Sequence, residues 1–203
     1  MKEFRLNEKD YKMPTDWNEM TLRHYINIAK LEESRTEYLL GELYLLKMIE
    51  CLCLIENDDD LNDLTLDVVA ELSASLSFLH TQPKWSSTKE IKINDVDYIF
   101  PSDLNKLSMG EYISIKTFQE NSKTDAEAIP YILAIILRPG SKVFDNETGG
   151  DKWVQEKFNV SNLEYRKELF MGELAQDLMG QVGFFLTGKE LSSINTKDYT
   201  PEV

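Results

Sequence analysis

Five oxygen-bearing side chains, Asp58, Asp59, Asp60, Asn62 and Asp63, fall within six residues, the density at which a calcium loop begins. Such a loop needs glycine at its sixth position, for the sharp turn, and a bidentate glutamate at its twelfth. Counted from Asp58, those positions hold Asp63 and Val69, so the run reads as a solvated connection between helices. The two histidines, His24 and His80, lie far apart in the chain. His24 is spaced to complete a helix cap with Thr21, and not to act in catalysis. Cys51 and Cys53 diverge by roughly 200° around one helix, so they can neither pair nor grip one metal. They read as small core residues of a reducing compartment, where the sequon Asn146–Glu147–Thr148 stays unglycosylated. Zinc-ligand spacing, a phosphate loop and a dinucleotide-binding glycine pattern are all missing from the sequence. Composition leaves Ser-His-Asp and Cys-His triads open, but no local pattern supports one. The sequence therefore assigns no catalytic, cofactor-binding or metal residue, and the chain is expected to be non-enzymatic.

The elements that would hold these residues come in two matched sets. Residues 2–49 and 89–136 align without a gap at a constant offset of 87, and 15 of the 48 pairs are identical. Composition alone would give roughly 3 identities, which points to a duplicated structural unit. Each set opens with a hairpin: Ile91 and Ile93, a turn at Asn94–Asp95, then Val96, Tyr98 and Phe100. The first set places Phe4 and Leu6, the turn Asn7–Glu8, then Tyr11 and Met13. Asn and Asp tolerate the positive φ of a two-residue turn, and Pro14 and Pro101 end the strands.

Helix starts follow at Thr21 and Ser108, and Ser108 with Glu111 spells a capping box. Leu22, Tyr25, Ile26 and Ala29 trace an apolar stripe, as do Met109, Tyr112 and Ile113. Second helices are expected over 37–55 and 126–137, with Pro130 kinking the latter or marking its true start. Further helices are expected over 64–79 and 161–186. Between 138 and 159 the second half carries about 20 residues beyond the first, read as a long loop. Its part from Gly140 to Asp151 is a candidate for partner contact, since insertions on one copy of a repeat often carry contacts. Phe78, Phe184 and Phe185 are expected to close the core. The expected fold is α+β, mainly α, a tandem duplication of a β-hairpin plus three-helix unit. Its expected divisions are 1–82, 83–187 and a polar C-terminal arm at 188–203.

A net charge of −14 over 203 residues argues against wrapping nucleic acid, which needs clustered Lys and Arg to displace counterions. It argues equally against an anionic membrane surface. No signal peptide is read at the start, and the apolar stretch 38–55 carries Glu42, Lys47 and Glu50, too charged for a span.

Taken together, WNEMTLRHYINIAKL after a short hairpin, ILAIILRPGSKVFD, and a helix ending GFFL resemble a known group. They are similar to small acidic proteins encoded in the structural gene block of tailed bacteriophages, especially crAss-like phages of gut bacteria. The resemblance spans most of 1–187 and brings no active-site residues or cofactor with it. It implies a virion protein made in the host cytoplasm: a ring-forming head–tail connector or tail component, or alternatively a tail-assembly chaperone absent from the finished particle. The implied partners are further copies of the chain and portal or tail proteins. DNA would pass nearby without specific binding, and no membrane is involved. An enzyme would instead require convergent polar groups in a pocket between the halves.

Overall fold

The computed structural model describes residues 1–35, 40–56, 61–86, 88–101, 106–146 and 149–186, with the backbone alone at 181 and 183–186. The side chains of Phe184 and Phe185, the aspartates 58–60, the sequon positions Glu147 and Thr148, and the arm 188–203 lie outside the described residues. The fold is α+β and mainly helical. It divides into two compact units: Met1–Trp85 with Glu168–Leu178, and Ser86–Lys167 with Met179–Val203. The first unit is therefore discontinuous in sequence.

In the first unit, β1 (Lys2–Leu6) pairs antiparallel with β2 (Lys9–Met13), placing Phe4 opposite Tyr11. Their turn residues Asn7 and Glu8 sit at φ 49° and 65°, the left-handed pair that matches the twist of the strands. Helices α1 (Leu22–Glu33), α2 (Gly41–Cys53) and α3 (Leu66–Ala74) follow. Met13, Met20, Ile49, Leu52 and Leu72 form the centre of the core, each at most 1% exposed. Phe78 is buried there too, edge-on to Trp17, whose indole N–H donates to the Phe78 carbonyl at 3.0 Å. The helix expected over 64–79 is shorter, because Ser75–His80 tightens into a 3₁₀ turn. Ser73 and Ser75 turn their hydroxyls back onto the carbonyls of Ala70 and Glu71, a competition that loosens regular helix.

In the second unit, β3 (Glu90–Ile93) and β4 (Val96–Ile99) also form an antiparallel hairpin, with Asn94 and Asp95 at φ 48° and 62°. Helices α4 (Met109–Asn121) and α5 (Asp125–Ile136) follow. Pro130 stands inside α5 and does not begin it. The start is set by Thr124, whose hydroxyl accepts from the Glu127 N–H at 3.3 Å. The residues read as a long loop are instead two strands, β5 (Arg138–Asp145) and β6 (Gly150–Gln155), completing a sheet of order β3-β4-β5-β6. Gly140 is required where β5 approaches β4, since a Cβ there would lie 2.5 Å from Ile99 Cδ1.

The helix expected over 161–186 is broken into α6 (Leu163–Met171) and α7 (Ala175–Leu186). The break lies within the first unit, where the Leu22 N–H donates to the Glu173 carbonyl and the Ala175 N–H to the Met20 carbonyl, both at 2.8 Å. These two bonds form an antiparallel bridge between Thr21 and Leu174, which a continuous helix could not make.

Candidate functional site

His24 sits at the third position of α1 and is 5% exposed. Its ring Nδ1 accepts the Thr21 backbone N–H at 3.0 Å and lies 2.9 Å from the Thr21 hydroxyl. An accepting Nδ1 fixes the tautomer with the proton on Nε2. Burial, with Arg23 adding to it, pulls the ring down to about 4, so it is neutral near pH 7 and serves as a cap. Cys51 donates its thiol to the Asn27 carbonyl at 3.7 Å. Burial raises Cys51 to about 11 and Cys53 to about 12, leaving both as inert thiols. His80 ends the 3₁₀ turn after α3, and Val69 lies in mid-α3. Among the described residues no cluster of His, Cys, Asp or Glu is arranged to hold a metal ion.

Between α1 and α2 runs a groove of about 490 Å³ lined by Arg23, Lys30, Lys47, Glu50 and Cys51. Its charges are engaged: Arg23 pairs with Glu168 at 3.2 Å and Lys47 with Glu50 at 2.6 Å. Two of the groove's cations are thus already paired, and its thiol is held protonated.

The second unit has a buried polar network that the sequence reading did not single out. Glu111, at the third position of α4, accepts the Ser108 N–H at 2.6 Å and forms an ion pair with Arg138 at the start of β5. Arg138 donates to Gln155 Oε1 at 2.7 Å, and Gln155 Nε2 donates to the carbonyls of Ile99 and Ile136, each at 2.6 Å. Arg166, 2% exposed, pairs with Glu156 at 2.9 Å. These bonds tie β4, α5, β6 and the first turn of α4 together, making the network a structural clasp. A sequence signal existed: Arg138 directly follows the unbroken apolar run Ile132–Leu137, where a charge must be paired if it stays inside.

Beyond this clasp the sheet reaches outward. Only Arg138 and Pro139 of β5 pair with β4, whereas the rest of β5 pairs with all of β6, from Gly140↔Gln155 to Asp145↔Gly150. The outer part is thus a two-stranded ribbon whose flanking edges have no strand partner among the described residues. On one face Lys142 lies over the Trp153 ring at 5.0 Å, beside Phe144, which is 61% exposed. On the other, Val143 and Val154 are 44% and 43% exposed, and Lys152 pairs with Asp145 at 3.1 Å. Open edges and exposed apolar side chains on a ribbon are what another chain can add to.

No helix among the described residues is long and apolar enough to cross a membrane. Comparison with known protein families, with curated proteins and with solved structures finds no match to this chain.

Proposed function

We propose that the chain is a non-enzymatic structural protein of a tailed-bacteriophage virion, a ring-forming head–tail connector or tail component surrounding the DNA channel. The β5–β6 ribbon carries this reading. It offers open strand edges with Val143, Phe144 and Val154 exposed, and an isolated protein gains nothing from leaving such a ribbon uncovered. Rings form when one surface of a subunit meets a different surface of the next, and a projecting ribbon is a natural joining element. The net charge of −14 suits a channel wall, because like charge keeps passing DNA from sticking.

Electron microscopy of the purified chain tests the ribbon's role. Closed rings for the unaltered protein, dispersed to single particles by Phe144→Asp, are the expected result. Single particles for both proteins would overturn it.

A further inference from the structure

The two units differ at one matched surface. In the first, the segment Glu173–Leu174–Ala175 lies across the start of α1 through the two 2.8 Å backbone bonds to Met20 and Leu22. On the same helix Leu22 is fully buried and Ile26 is 3% exposed. At the offset of 87 the corresponding residues are Met109 and Ile113 on α4, and these are 68% and 55% exposed. The backbone groups matching the bridge, the Leu107 carbonyl and the Met109 N–H, make no bond among the described residues. The second unit therefore exposes apolar residues and open backbone groups at positions that are buried and bridged in the first.

The chain holds a second segment of the covering type. Gly172, Glu173, Leu174 and Ala175 are followed by Leu178, and the C-terminal residues repeat this order as Gly188, then Glu190, Leu191 and Ser192, followed by Ile194. In each segment a leucine two or three residues after the glycine is followed by a second apolar residue, Leu178 or Ile194. The 17 residues after Leu186 can span up to about 60 Å when extended, enough to reach a neighbouring subunit. We infer that the Met109–Ile113 shoulder of α4 binds the Glu190–Leu191–Ser192 segment of a second copy of this chain. The segment adds the same antiparallel bridge, to Leu107 and Met109, that Glu173–Ala175 makes to Met20 and Leu22. This rests on the assembly reading above for its setting, and joins unlike surfaces of successive subunits, as a ring requires.

Sedimentation velocity on the full chain tests it, with Met109→Asp on the shoulder and Leu191→Asp on the arm. Met109 is 68% exposed and can accept a charge, and far-UV circular dichroism checks that each variant is folded; Ile113→Asp replaces Met109→Asp if needed. The unaltered chain is expected to assemble, and each variant to sediment as a monomer of 23.5 kDa. An equimolar mixture of the two variants is expected to form dimers and nothing larger, since one intact shoulder then meets one intact arm. The inference is overturned by a monomeric unaltered chain, by either variant assembling normally, or by a mixture that stays monomeric. A chain abundant in virions but monomeric in solution would lose this inference and keep the structural-protein reading.

Discussion

Glu111 and Arg138 form an ion pair inside the second unit, and the same carboxylate caps α4 by accepting the Ser108 N–H. The residues are 4% and 7% exposed, so each charge depends on the other for compensation. Burial pulls the Arg138 guanidinium below its ordinary value, and the Glu111 carboxylate opposes that pull. In the first unit the third position of α1 is held by neutral His24. A third-position cap is thus charged in one unit and uncharged in the other.

Breaking one side of the pair should be costly. Glu111→Gln keeps the cap's hydrogen-bonding shape but strands Arg138, and should destabilise by about 3 kcal/mol. Adding Arg138→Met should recover part of that loss. Urea unfolding of the two single variants and the double variant checks the coupling.

His24 makes stability depend on pH in a defined direction. Its folded pKa lies near 4 against an ordinary 6.5, so the unfolded chain binds the extra proton first. Stability from this group is complete above pH 6.5 and falls as pH drops towards 4, by up to roughly 3 kcal/mol. His24→Gln, which can still accept from Thr21, should flatten the part of the acid-side slope due to this group in a melting-temperature series across that window.

The hairpin turns hold non-glycine residues at positive φ, including Glu8 at 65° and Asp95 at 62°. Left-handed backbone costs an L-residue roughly 1–2 kcal/mol, partly offset by the freedom glycine gains when unfolded. Glu8→Gly and Asp95→Gly should each stabilise by about 0.5 kcal/mol, read as a raised urea midpoint at unchanged slope.

Gly180 packs in α7 against the backbone of Ser86, whose carbonyl oxygen a Cβ would overlap. That neighbour is main chain and cannot swing aside. Gly180→Ala should therefore destabilise by about 2–3 kcal/mol despite alanine's better helix propensity, and calorimetry would register the lowered melting temperature.

Local chemistry was the legible part of this fold. Asn7–Glu8, Asn94–Asp95 and Ser108 with Glu111 act on neighbours within three residues, so their turns and cap could be read directly from spacing. The β5–β6 ribbon was missed because Ser141, Lys142, Val143 and Phe144 are all exposed, and a strand with no buried face shows no apolar alternation. The break before α7 was missed because Phe170, Leu174 and Leu178 keep helical spacing straight through it. Gly172 stands at the break, and the bridge to Met20 and Leu22, a contact made across the sequence, lies in it. The Arg138–Gln155 clasp likewise joins residues whose partnership depends on strands the periodicity did not reveal.

Quantitative mass spectrometry of purified virions from any tailed phage whose genome carries this sequence tests the central proposal most directly. A structural ring protein should be present in stoichiometric, repeated copies alongside portal and tail proteins. Its absence from finished particles, with abundant expression during infection, would contradict a structural role and leave the assembly-chaperone reading in its place.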